Sequence, residues 1–173
     1  MSIVSDIEKL KKEKNAVILA HYYVDDDVQD VADYIGDSFY LSKVATKVSQ
    51  DRIIFAGVEF MGESAKILNP EKRVFMPDIN ADCPMAHMAD KDEILKLREQ
   101  YDDLAVVCYI NSTAELKKYS DVCVTSSNAV KIVKNLPNKN IFFFLSSNFV
   151  FSFILVVTSK CIAHAGIIIS LFL

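Results

Sequence analysis

The chain has 173 residues, enough for one domain with a substantial core or for two small ones. A net charge of -4 with no lysine or arginine stripe supplies no field for a phosphate backbone, so nucleic-acid binding is disfavoured. The four cysteines, Cys83, Cys108, Cys123 and Cys161, form no C-x-x-C pair, which speaks against zinc ribbons, thioredoxin-like sites and disulfide scaffolds; with no signal-like apolar run at the N-terminus, a reducing, cytoplasmic setting is expected.

In chain order, Ser5-Asp-Ile-Glu8 reads as a capping box opening a short amphipathic helix. Residues 16–20 read as a buried strand that runs into His21-Tyr22-Tyr23, and Asp25-Asp26-Asp27 as a cap for the next helix rather than a cation site. Val28, Val31, Ala32 and Ile35 fall at i, i+3, i+4 and i+7 and predict a helix; Leu41, Val44, Ala45 and Val48 predict another after Gly36-Asp37-Ser38. A strand at 52–57, a helix at 61–68 and a strand at 74–76 complete a β-α-β-α-β unit. After Cys83 the pattern restarts: a helix opened by Asp90-Lys-Asp-Glu93, a strand at 104–109, a helix opened by Ser112-Thr-Ala-Glu115, a strand at 122–124, a helix ending near Leu136 and a strand at Ile141. Residues 16–20 resemble 105–109, and 66–75 resemble 131–142, so two copies of one unit are expected.

Residues 1–140 hold 41 of the 42 charged residues, whereas 141–173 hold only Lys160 and carry seven of the eleven phenylalanines. A membrane span needs about 20 apolar residues, and the run 141–157 is interrupted by Ser146, Ser147, Asn148 and Ser152. The expectation is instead a tail foreign to the fold, as a shift of reading frame near Phe143 would produce. The expected organisation is a first α/β repeat at 1–82, a second, incomplete one at 83–143, and an aberrant apolar tail at 144–173.

Alternating β-α units build parallel sheets, whose ligands bind beyond the carboxyl ends of the strands. His21 with Tyr23, and Tyr109 with Asn111, are two apart and so share a face, where each pair can point at one ligand. Alone, each pair reads more readily as a satisfied turn histidine or a tyrosine at the core rim than as a ligand site. Their occurrence at equivalent places in two repeats sets a ligand-binding reading level with the structural one. Ser38 is either a helix cap or a hydroxyl donor to a carboxylate. Cys83 lies in Cys83-Pro84-Met85-Ala86-His87 between the repeats, where a side chain can reach a cleft, while Cys108 and Cys123 read as small core residues and His87 as an exposed histidine. With only Gly36, Gly57, Gly62 and Gly166, no glycine-rich phosphate loop exists.

Taken as an ordered set, His21-x-Tyr23, Gly36-Asp37-Ser38, Gly57-Val58-Glu59-Phe60-Met61, Pro77-Asp78, Cys83-Pro84-Met85-Ala86, Tyr109-x-Asn111-Ser112-Thr113 and Thr125-Ser126-Ser127-Asn128-Ala129 resemble quinolinate synthase over about residues 5 to 143. The resemblance implies three similar α/β domains, of which this chain has two, the second incomplete. It implies a carbon-carbon bond-forming transferase of NAD biosynthesis that condenses iminoaspartate (iminosuccinate) with dihydroxyacetone phosphate to quinolinate. It also implies a [4Fe-4S] cluster held by one cysteine per domain, whose open iron acts as a Lewis acid. Position by position, Cys83 resembles the first cluster ligand. His21, Ser38, Tyr109, Asn111 and Ser126 resemble groups holding the dicarboxylate, with His21 also a candidate for catalysis. Tyr23 resembles a proton-transfer tyrosine and Phe60 an apolar wall.

Cys161-Ile-Ala-His164 reproduces the family's cysteine-to-histidine spacing with unrelated flanks and is read as coincidence; a third cysteine ligand has no candidate, so one chain is not expected to complete the cluster. The competing reading is a membrane-tethered α/β protein whose strand-end polar groups hold a small anion.

Overall fold

The structure, a computed structural model, describes residues 2–78, 80–87 and 89–144, and the backbone of 155–158. The chain divides into two compact units, Met1–Cys83 and a second that begins at Pro84.

In the first unit α1 (Ile3–Glu13) is capped by Ser2, whose hydroxyl accepts from the Ser5 N–H at 3.3 Å. The sequence places the cap at Ser5; in the structure the Ser5 hydroxyl donates instead to the Ser2 carbonyl at 2.7 Å, within the first turn. Asn15 takes the left-handed conformation, φ 49°, which asparagine tolerates, and turns the chain from α1 into β1 (Ala16–His21). The helix predicted over 28–35 is a correction: α2 (Asp26–Gln29) is one turn long and Tyr34–Gly36 is a strand, β2. The cause is Asp33, which donates its N–H to the Ile18 carbonyl at 2.9 Å and accepts the Ile18 N–H on Oδ2 at 2.8 Å, docking the chain on the edge of β1 before another turn can form. Tyr34 and Ile35, aromatic and β-branched, then suit the strand. The unit continues with α3 (Ser38–Ala45), β3 (Arg52–Ala56), α4 (Glu59–Leu68) and β4 (Arg73–Phe75). All four strands are parallel in the order β2-β1-β3-β4. Central β1 is buried from Val17 to His21.

The second unit opens with a 3-10 turn, Pro84–His87, then α5 (Lys91–Gln100), capped by Asp90. It proceeds through β5 (Leu104–Tyr109), α6 (Ala114–Lys118), β6 (Val122–Val124), α7 (Ala129–Asn135) and β7 (Asn140–Phe144). Side chains alternate across β5. Leu104, Val106 and Cys108 pack with Ile94, Leu116, Phe142 and Phe144 on one face, and Ala105 and Val107 with Val124, Ala129, Val133 and Ile141 on the other. Helices thus cover both faces of a parallel sheet, the three-layer α/β arrangement expected from the alternating pattern.

A single offset relates the two units: Ala16–His21 to Leu104–Tyr109, Tyr34–Gly36 to Val122–Val124 and Arg52–Ala56 to Asn140–Phe144, each pair 88 positions apart. This corrects both alignments read from the sequence. Residues 16–20 correspond to 104–108, one residue from the pairing that apolar identity suggested. Residues 131–142 do not repeat 66–75, because β7 is the counterpart of central β3 and not of the edge strand β4. Beside β7, where β4 lies beside β3, runs β8 (Leu155–Thr158), antiparallel to β7, with Phe142 opposite Val156. The chain between Phe144 and Leu155 is shorter than the dozen or more residues that a parallel crossover takes, so the return strand reverses direction. Residues 155–158 lie inside the segment read from composition as a foreign tail; Cys161 and His164 lie outside the described residues. Among the described residues no helix is long and apolar enough to cross a membrane.

Candidate functional site

His21, Tyr109 and Ser126 lie at or just past the carboxyl ends of the strands of their sheets. In the first unit His21 ends β1, and Gly57, at the end of β3, is close enough that a Cβ there would lie 3.5 Å from the His21 Cβ. The His21 ring is nearly buried, at 8% exposure, stacked on Tyr22 (centroids 4.5 Å apart) and edge-on to Tyr23 (4.7 Å). The strand stops at His21, so the alternation that was expected to align it with Tyr23 does not apply; the two are joined by a turn, in which the Tyr23 N–H donates to His21 Nδ1 at 3.3 Å. An Nδ1 that accepts leaves the proton of the neutral ring on Nε2. Burial pushes the His21 pKa down, against the opposing attraction of Asp37.

Asp37, absent from the sequence-based site, is the cap of α3, taking the Tyr40 N–H at 2.7 Å. It fills the role considered for Ser38, which is the first helical residue and accepts the Ser42 hydroxyl on its carbonyl at 2.7 Å. The signal was in Gly36-Asp37-Ser38, where aspartate and serine are about equally good caps and the strand ending at Gly36 puts the aspartate at the cap position. Tyr23 is 81% exposed, available to a ligand but unsupported on its outer side. Tyr22, also not singled out, has its phenol pushed above its ordinary pKa by a hydrogen bond with Tyr23. Phe60 sits in α4 at 4% exposure, packed in the core, and within this unit presents no open wall.

In the second unit Tyr109 ends β5, and its hydroxyl lies 3.1 Å from Ser126 Oγ in the loop after β6. The strand ends are tied together by the Ile110 N–H to the Val124 carbonyl at 2.8 Å, and the loop by the Thr125 N–H to Asn128 Oδ1 at 2.7 Å. Asn111 is half-buried two residues past Tyr109. The offset of 88 that relates the strands also relates the sites: His21 with Tyr109, Tyr23 with Asn111, and Ser38 with Ser126. Within their units, the neutral Nε2–H of His21 and the Tyr109 and Ser126 hydroxyls can donate hydrogen bonds to anionic oxygens.

Cys83 is half-buried, with its N–H donated to Asp82 Oδ1 at 2.7 Å, and the 3-10 turn follows it. A cubane cluster needs three or four thiolates spaced around it. Among the described residues no three His, Cys, Asp or Glu side chains are grouped to hold a metal ion. Cys108 and Cys123 do pack with the core, as their reading as small core residues expects, and in addition lie Sγ to Sγ 3.3 Å apart, a contact that reading did not include. The donors described here therefore do not make up a cluster site.

A protein-family model described as NadA, quinolinate synthetase A protein, matches residues 5–169. The quinolinate synthase of Fusobacterium nucleatum subsp. nucleatum is 70% identical over 136 residues, which cover 79% of this chain and 46% of the relative. That of Caldicellulosiruptor saccharolyticus is 53% identical over 146 residues (84% of this chain, 48% of the relative), and that of Clostridioides difficile 54% over 142 (82% and 47%). The chain spans about half the length of the curated relatives it matches. With the family model covering nearly its whole length, the chain belongs to the quinolinate synthase family.

Proposed function

We propose that this chain carries the dicarboxylate-holding part of a quinolinate synthase, the enzyme that condenses iminoaspartate with dihydroxyacetone phosphate to quinolinate in NAD biosynthesis. The observation that carries the reading is the common offset: three pairs of polar residues, His21/Tyr109, Tyr23/Asn111 and Ser38/Ser126, recur at equivalent strand ends of two equivalent sheets. Strand ends of parallel sheets are where such folds bind ligands. The residue types suit a dicarboxylate, because hydroxyl, amide and neutral imidazole N–H groups donate to carboxylate oxygens without a full positive charge. His21, kept neutral by burial, serves as a donor, and Tyr23, exposed beside it, is the candidate for proton transfer to the substrate. Phe60 is the candidate apolar neighbour of the bound carbon chain.

The [4Fe-4S] cluster implied by the resemblance would supply Lewis-acid activation, with Cys83 its first thiolate. The other thiolates are not among the described groups, so the chain alone is expected to hold no stable cluster. Anaerobic loading with iron and sulfide checks this; a full cubane absorbance together with quinolinate production would overturn it.

Binding is the direct test of the site. Titration of the full chain with quinolinate, followed by calorimetry, is expected to give saturable binding that Tyr109→Phe and Ser126→Ala each weaken several-fold while leaving the unfolding midpoint near wild type. Absence of binding, or binding indifferent to both variants and to His21→Ala, would sink the reading.

A further inference from the structure

Cys108 and Cys123 are direct Cα partners on the adjacent parallel strands β5 and β6, so their side chains leave the sheet on the same face. Neighbouring strands lie about 4.7–4.9 Å apart, inside the roughly 4.4–6.8 Å Cα separation that a disulfide spans. Their sulfurs already sit 3.3 Å apart. Cys108 is fully buried in the core formed with Ile94, Val106 and Phe142, whereas Cys123 is half-buried at its margin. We propose that Cys108 and Cys123 are a redox-active dithiol, closed by a low-molecular-weight disulfide into a cross-strand bond that staples β5 to β6 beside the Tyr109–Ser126 contact.

The two thiols have distinct tasks. Cys123 is the reachable one, and the hydrogen bond from Cys108, helped by the Lys117 charge, holds its pKa down to about 7. Cys108 is pushed strongly up, first by its hydrogen bond with Cys123 and then by burial. Cys123 as thiolate attacks one sulfur of oxidised glutathione; the oxidant's S–S bond breaks, one glutathione leaves as thiolate, and Cys123 becomes a mixed disulfide. That removes the negative charge facing Cys108, which then gives up its proton and attacks Cys123 Sγ, expelling the second glutathione. Two electrons pass from the protein thiols to the oxidant, and the two departing glutathiones take up the two protons. The bond forms one residue before Tyr109 and three before Ser126, so it fixes the separation of the strands carrying that pair.

The native full chain, incubated with oxidised glutathione, alkylated and cut with trypsin, tests this directly, because Lys117 and Lys118 place the two cysteines in separate peptides. Expected is peptide 99–117 joined to peptide 119–131, with two of the four thiols lost and the bond reversed by a reducing dithiol. In Cys108→Ser a glutathione adduct stays on Cys123; in Cys123→Ser, Cys108 stays unmodified. Four thiols still open to alkylation, a link to Cys83 or Cys161, or a link that forms only in guanidinium would each overturn the proposal, and the wild-type digest decides even where a serine variant does not fold.

Discussion

Asp33 and Asp121, 88 positions apart, do the same work in two sheets: Oδ2 of each accepts the N–H of a central-strand residue, Ile18 at 2.8 Å and Val106 at 2.7 Å, and the N–H of each returns to that residue's carbonyl at 2.9 and 2.8 Å. A cation from the helix before each central strand, α1 or α5, completes both. Lys11 reaches Asp33 Oδ1 at 2.8 Å and the Val31 carbonyl at 3.3 Å; Arg98 reaches Asp121 Oδ2 at 2.9 Å and the Tyr119 carbonyl at 3.0 Å. The aspartate is what brings β2 and β6 onto their central strands, and so what places Ser38 and Ser126 beyond the strand ends.

Removing it has a defined cost. Asp121→Ala leaves the N–H of fully buried Val106 without its side-chain acceptor, a loss of about 1–3 kcal/mol. Asp121→Asn keeps an oxygen at that position and should recover most of it. Denaturant unfolding measures both, and an alanine variant as stable as wild type would remove this aspartate from the account of the fold.

His21 makes stability depend on pH in a predictable direction. Its pKa is lowered on folding from the ordinary 6.5, chiefly by burial, with Asp37 opposing. The unfolded chain therefore binds the proton more readily, and the contribution of the neutral ring is complete above 6.5 and is lost as pH falls through the folded-state value. Unfolding midpoints measured from about pH 8 to about pH 5 should fall over the lower part of that range in wild type and fall less in His21→Asn. Equal slopes would mean that another group carries the dependence.

How much of this was legible in the sequence depends on range. The strand-to-helix alternation and the central strands were visible because a strand buried on both faces is a near-continuous apolar run, as in Leu104–Tyr109. Helix periodicity failed at 28–35, where Val28, Val31, Ala32 and Ile35 have helical spacing but a side chain bonded fifteen residues away, Asp33 to Ile18, decides the conformation. The repeat was visible, yet its register was not, because apolar runs match one another at several offsets and only strand pairing fixes one. The positions of His21 and Tyr109 at strand ends, and of Ser126 in the loop after a strand, were readable from the strand pattern. Asp37 and the Cys108–Cys123 contact depend on capping competition and on strand register, which composition does not carry.

Phe142 tests the core under the second site. It is 1% exposed, 5.8 Å from the Phe144 ring, and packs with Ile94, Val106 and Leu116. Phe142→Ala should cost about 3–5 kcal/mol, and half-buried Phe143→Ala, on the opposite face, clearly less. Similar losses from both variants in denaturant unfolding would mean that the two faces of β7 are not packed as described.

The outer edge of β7 is covered by β8, with register from Asn140 opposite Thr158 to Phe143 opposite Leu155. Composition alone suggests that deleting the tail, 144–173, should improve solubility, because the segment is apolar and nearly uncharged. Strand pairing leads to the opposite outcome: deletion beyond Phe144 uncovers the backbone of Asn140–Phe144, an edge bearing three consecutive phenylalanines and no charge, which is a template for pairing with another chain. A chain ending at Phe144 should therefore pellet more than the full chain at equal concentration. Phe143→Lys in that shortened chain should restore part of the solubility, since an edge lysine blocks strand addition. A shortened chain that stays in solution better than the full one would show that β8 does not protect β7.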